Sequence, residues 1–307
     1  MAATTSWIPA EPELAAILQR HPRPLEELAA GSIPAIVLRG AFSPSACQQL
    51  VDRLIAEQLL YDPARPIPDK FRAEAIPEGY YREGRNADPT FAWNATTAGG
   101  RTRIDVGTSL GYRGSDRADF FAHSRQTQQL FARLFAGHDN PVKLLYGALQ
   151  QLSVDKRVVT AHEPDGSEYG PAIIRAHYGG YTYRPHFDSV RLREKRDDYA
   201  VHAFDHQFAG VLVLRNTQLN DKSAQCILHR CLWEPSIDQH LQNDTFHEYA
   251  ARNSIENLEV RLQPGDLYFF NTRCIHEVPG VAGHLPRIVL ATFIGFSADR
   301  DEIFVWS

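Results

Sequence analysis

The 307-residue sequence contains a single methionine, Met1, and no Cys-x-x-Cys pair among its four cysteines, Cys47, Cys226, Cys231 and Cys274. That spacing excludes a zinc ribbon or a dense disulfide framework and leaves the thiols as small, buried apolar residues. No apolar run approaches the roughly 20 residues needed to span a bilayer. The opening MAATTSWIPAEPELAAILQRHPRP lacks a basic stretch followed by an apolar one. Secretion is therefore not signalled, and a cytoplasmic protein without membrane contact is expected. Basic charge is not in excess either: 32 Lys and Arg stand against 37 Asp and Glu, net −5, which removes any bulk electrostatic argument for nucleic acid. Repeats and low-complexity tracts are absent. What the chain does have is 43% apolar residues, enough for a sizeable core, and thirteen histidines.

The texture changes near residue 165. Ahead of it, IPAIVLRG has the β-branched content of a strand, and FSPSACQQLVDRLIAEQLL reads as a helix. Ser43 can cap that helix, Pro44 takes its first position, and Cys47, Leu50, Val51, Leu54 and Ile55 form its apolar face. Residues 60–115 are rich in Pro, Gly, Arg and Asp and predict a long excursion of loops and short strands, read as a lid or substrate-facing surface. Helices are predicted again in SDRADFFAHSRQTQQLFARLFAG and from Asn140 and Pro141 through Leu152. Beyond residue 170 the runs PAIIRAHY, QFAGVLVLRN, QCILHRCLWEP, NLEVRL, DLYFFN and RIVLATFIGF predict strands separated by turns. The fold class is α+β: residues 1–164 form an N-terminal helical and loop region packing on an antiparallel sandwich or jelly-roll core of residues 165–307, the two together expected as one compact structural unit.

Chemistry concentrates in RAHYGGYTYRPHFDSV. His186 and Asp188 are two positions apart, so on a strand both side chains emerge on one face and can take adjacent positions on one metal ion. A third ligand must come from another strand, and NTRCIHEVPGV offers His276. Two histidines and one carboxylate form the facial triad of non-haem iron(II) oxygenases, which leaves three metal positions open. Arg287 follows at the start of RIVLATFIGF, and its planar fork suits the distal carboxylate of a bidentate 2-oxo acid. His202 and His206 have no matching third ligand, and His177, His229 and His284 read as core or loop residues.

With H-x-D, the distant His and the Arg in this order, the sequence resembles the Fe(II)/2-oxoglutarate-dependent dioxygenases over roughly residues 165–300. YGGYTYRPHFD is similar to the prolyl-hydroxylase-type branch, as is IPAIVLRGAFSPSACQQLVDRL. The resemblance implies a double-stranded β-helix, with His186, Asp188 and His276 as ligands of Fe(II). It further implies Arg287 on 2-oxoglutarate, O2 as the oxidant, succinate and CO2 as products, and ascorbate as a stimulating reductant. A tyrosine upstream of H-x-D often bonds the 2-oxo acid in this branch; Tyr178 matches that place, with Tyr183 nearer the pocket rim. Many relatives carry a Ser or Tyr two residues beyond the Arg, where this chain has Val289. Halogenating relatives replace the carboxylate with Gly or Ala, so Asp188 implies hydroxylation, desaturation or cyclisation instead. The expected substrate is a small molecule, a specialised metabolite or amino-acid derivative. A peptidyl hydroxylase and a non-catalytic metal-binding or sensing jelly roll are the alternatives.

Overall fold

The computed structural model describes residues 7–71, 102–113 and 116–307. Most of the excursion expected over residues 60–115, namely 72–101, thus lies outside the described residues. Helices α1 (Leu14–Arg20), α2 (Pro24–Ala29) and α3 (Pro44–Ala56) surround strand β1 (Ile36–Leu38). Strand β2 (Thr102–Val106), the single turn α4 (Leu110–Arg113), α5 (Arg117–Leu134), α6 (Pro141–Leu152) and β3 (Arg157–Thr160) follow. The later chain is mainly strand: β4 (Ile173–Tyr178), β5 (Tyr183–His186), β6 (His206–Arg215), the short pair β7 (Gln218–Leu219) and β8 (Lys222–Ser223), and β9 (Cys226–Leu232). Helices α7 (Asp238–Gln242) and α8 (Phe246–Arg252) then precede β10 (Asn257–Val260), β11 (Leu267–Asn271), β12 (Cys274–Val278), β13 (Arg287–Phe296) and β14 (Glu302–Trp306).

The helices start where side chains satisfy their free N–H groups. Ser43 Oγ accepts from the Ala46 N–H at 3.1 Å. Asn140 Oδ1 accepts from Val142 and Lys143 at 2.9 and 3.1 Å. Both helices carry Pro at the first position, where no intrahelical donor is lost. The Pro-Gly-Asp turn before β11 needs its glycine. Gly265 adopts φ +98°, and a Cβ there would lie 2.2 Å from the Phe42 carbonyl oxygen.

Two sheets face each other. The larger has eight strands, in the order β1-β11-β6-β13-β14-β3, with β4 also pairing along β13 and β2 pairing β4. The smaller is β10-β9-β12-β5. Apolar residues of both sheets, among them Val211, Tyr268, Leu228 and Val278, pack together between them. The other face of the large sheet buries Ile174, Leu212, Phe269 and Leu290 against Leu28, Leu50, Leu54 and Leu149 of the helices. The period of two along β4 and β13 sorts the side chains between these compartments. Ile174, Ala176, Tyr178, Ile288 and Leu290 join the helical layer, whereas Arg175, His177, Arg287 and Val289 face the space between the sheets.

The α+β class agrees with this architecture, but the division at residue 164 cuts through a sheet. β1, β2 and β3 all precede it, and they pair with β11, β4 and β14. The β14–β3 pairing is parallel, unlike its neighbours. Among the described residues no helix is long and apolar enough to cross a membrane.

Candidate metal centre

Gly179 and Gly180, at φ 66° and 75°, let the chain leave β4 in the large sheet and enter β5 in the small one. β5 ends on His186, which is the direct cross-strand partner of His276 on β12, and the two rings stand 4.2 Å apart between centroids. Directly opposed residues share a face and sit close, which is why two residues so distant in sequence meet. Asp188 lies just beyond the strand rather than on it. Its position comes from the β11–β12 turn: the Asp188 N–H donates to the Thr272 carbonyl at 3.0 Å, and Thr272 Oγ1 donates back to the Asp188 carbonyl at 2.8 Å.

Hydrogen bonds at the far side of each ring determine what the near side offers. His186 Nδ1 lies 2.6 Å from the Arg184 carbonyl and His276 Nδ1 lies 2.9 Å from the Cys274 carbonyl. A carbonyl only accepts, so each Nδ1 carries the hydrogen, and in the neutral rings each Nε2 presents a lone pair. Those lone pairs face Asp188 Oδ2 at 3.7 and 3.6 Å. Burial, and then the neighbouring His276, push His186 down to about 3. Burial alone would raise the Asp188 carboxyl, but His276, His186 and Arg193 outweigh it and hold it below the usual carboxylate range. The ligand atoms of the three residues all lie within 4.8 Å of one another, and two imidazoles with one carboxylate are a donor set that fits a divalent cation.

A cavity of about 90 Å³ opens beside these groups. Arg175, His177, Tyr183, Tyr268, Arg287, Val289 and Phe293 are among its lining residues, together with all three members of the triad. Arg287 is buried and lines the cavity with the Tyr268 phenol, whose own titration burial raises well above the ordinary tyrosine range. A hydroxyl thus stands beside the guanidinium although Val289 offers none. His177 Nε2 is 2.7 Å from the Tyr183 hydroxyl. Burial, followed by Arg287, Arg103 and Arg175, lowers the His177 pKa well below the histidine value, so this ring is neutral.

The expectation for Tyr178 needs correction. Strand alternation turns it to the helical layer, where its hydroxyl donates to the Tyr61 carbonyl at 2.9 Å and its ring stacks on Tyr61 at 4.0 Å. Of the two tyrosines, Tyr183 lines the cavity. His177, read from the sequence as a core or loop residue, lines it as well. Arg193 escaped the sequence reading. It sits on a five-residue π-helical turn, Val190–Glu194, and donates to Asp188 Oδ1 at 3.1 Å and to the Phe187 carbonyl at 2.9 Å. Nothing in the spacing V-R-L-R-E marks its role. Asp105 was also missed: it takes two hydrogen bonds from buried Arg103, at 3.0 and 2.7 Å, and lies 3.6 Å from Arg175.

Facing antiparallel sheets with these groups between them are the arrangement found in Fe(II)/2-oxoglutarate-dependent dioxygenases. Residues 13–307 match the family described as carrier-protein-independent halogenase WelO5, and the chain belongs to this family. Its fold is similar to that of an N-substituted L-amino acid dioxygenase from Burkholderia ambifaria AMMD, with 15% identity, a TM-score of 0.56, and coverage of 92% of this chain and 90% of the other. The same dioxygenase in complex with α-ketoglutarate superposes with a TM-score of 0.53 at 15% identity and the same coverage. No curated protein matches the sequence.

Two outcomes are expected from this geometry. Tyr178→Phe removes a buried hydrogen bond and should lower stability in urea denaturation by about 1 kcal/mol, with 2-oxoglutarate affinity unchanged; weakened affinity would return Tyr178 to the cavity. In the metal-free protein, His177 and His186 titrate lower when folded than when unfolded. Below about pH 6.5 the unfolded chain therefore takes up protons that the folded one refuses, and stability falls with pH by up to ~1.4 kcal/mol per unit for each group. The decline should continue towards pH 3, where His186 itself becomes protonated. His177→Gln should make it shallower, as read from denaturation midpoints across that range.

Proposed function

We propose that the protein is an Fe(II)- and 2-oxoglutarate-dependent oxygenase that oxidises a C–H bond of a small molecule, by hydroxylation or a related desaturation or cyclisation rather than by halogenation. The observation that carries this reading is the convergence of His186, His276 and Asp188, whose ligand atoms all lie within 4.8 Å of one another beside the cavity. The facing sheets and the cavity between them support a double-stranded β-helix, with the site inside it. Iron(II) bound by the three residues supplies the activation of O2, coupled to oxidative decarboxylation of 2-oxoglutarate to succinate and CO2.

The protein's own groups bind and orient. Arg287 pairs with the distal carboxylate of 2-oxoglutarate, and the protonated Tyr268 hydroxyl beside it supplies the second donor. Val211, Val278, Val289 and Phe293 line the cavity with apolar surface that keeps water from the reacting centre. Arg193 holds Asp188 Oδ1 and Thr272 holds the Asp188 backbone, which leaves Oδ2 as the oxygen that would hold a metal.

Halogenation is the second reading, favoured by the description of the family. It needs a vacant ligand position for halide, and here that position is taken by a carboxylate restrained from two sides. Hydroxylation and halogenation therefore differ in a property that needs no substrate. Under anaerobic conditions, iron(II) and 2-oxoglutarate should give a visible charge-transfer band, lost in His186→Ala and in His276→Ala; a band surviving in both variants refutes the triad. Chloride should leave the band and the 2-oxoglutarate affinity of the wild type unaltered, whereas Asp188→Gly should become chloride-sensitive. A chloride response in the wild type would instead support a halogenase. Arg287→Ala should weaken 2-oxoglutarate binding by about 2–5 kcal/mol, the cost of leaving a buried carboxylate unpaired.

A further inference from the structure

The outer face of the small sheet carries a second set of ligating groups. Glu277 follows His276 on β12, so its side chain emerges on the face opposite the cavity, the face on which Ile275 packs against Phe246 and Ala250 of α8. His229 of β9 joins Glu277 there, its Nε2 3.0 Å from Oε1. His247, in the first turn of α8, brings its Nε2 to 3.4 Å from Oε2. The three ligand atoms all lie within 4.8 Å of one another. Glu277 and His229 are only 6% and 2% exposed. Among the described residues no Arg or Lys forms an ion pair with Glu277, whose partners are the two imidazoles alone. A buried carboxylate facing only imidazoles is poorly compensated unless positive charge reaches it. The His229 Nδ1 also has no hydrogen-bond partner among the described residues.

We infer that His229, His247 and Glu277 form a second divalent-cation site of the zinc type, separate from the centre that holds His186, Asp188 and His276. Ligands about 2.0–2.2 Å from a tetrahedral cation stand roughly 3.3–3.5 Å from each other; His247 Nε2 already stands 3.4 Å from Oε2, and with all three ligand atoms within 4.8 Å of one another a small rotation of the side chains closes the set round a cation. Two imidazole nitrogens and one carboxylate select zinc and its neighbours over magnesium or calcium, which take oxygen. The exposed side of His247 leaves the fourth position to water. A cation there neutralises Glu277 and ties α8 to β9 and β12.

The test is calorimetric titration of chelator-stripped, tag-free protein with zinc(II) alone. Wild-type protein should bind two equivalents and His247→Ala one. Protein carrying His186→Ala and Asp188→Ala together should retain one equivalent, and adding His247→Ala to it should weaken that binding roughly 100-fold or more. Cobalt(II) should give tetrahedral visible bands in the His186→Ala and Asp188→Ala protein, and these should vanish with His247→Ala. Because His247 is exposed, its loss leaves packing intact; Glu277→Gln, which keeps the side chain's shape, provides a second variant for the same readout. An equal stoichiometry and affinity with and without His247 would overturn the site.

Discussion

The whole arrangement turns on the direct cross-strand pairing of His186 with His276. Once these residues face each other on one side of the small sheet, and each Nδ1 is committed to a backbone carbonyl, their remaining nitrogens have nowhere to aim except at each other and at Asp188. Such a cluster is unfavourable in isolation and becomes favourable with a cation at its centre. The surrounding features serve that register. Two left-handed glycines carry the chain between sheets, Thr272 fixes the Asp188 backbone, and Arg193 occupies the carboxylate oxygen that does not face the rings.

Around this centre the cavity combines apolar walls with buried charge. Arg103 and Arg175 both approach Asp105, while Arg287 stands with Tyr268. His177 lies among the three guanidinium groups and is kept neutral by burial and by their charge, which lets it hold Tyr183 by an ordinary hydrogen bond. A protonated ring there would add a fourth positive charge to a site with little water to screen it.

Some of this was legible in the amino-acid sequence. The H-x-D pair, the later histidine and the arginine stand out because each residue type is rare at a strand's inner positions and their order is informative. Helix α3 was readable because Ser43, Pro44 and the 3.6-residue periodicity agree. Tyr178 was misplaced because β4 is buried along both faces, so its sequence does not announce which parity points to the cavity, and a slip of one residue reverses it. Arg193 and Thr272 act through a π-helical turn and backbone hydrogen bonds, which leave no periodic trace. The strands that residues before 165 lend to the large sheet were missed, because TRIDV and RVVT are too short to be recognised as strands until their partners β4 and β14 are known.

The pairing of β1 with β11, Ile36 against Phe269, and of β3 with β14, Val159 against Phe304, gives the sheet a consequence for how the protein acquires its shape. Strands made early in synthesis wait for partners near the end of the chain, so the native contacts are largely non-local, and loop-closure entropy makes such topologies slow to fold. During that interval the backbone edges of β1 and β3 lack the strands that pair with them. On the ribosome the cleft that gathers His186, Asp188, His276 and Arg287 cannot exist as a shaped cavity until β12 and β13 have emerged, so the site is among the last parts of the molecule to take form.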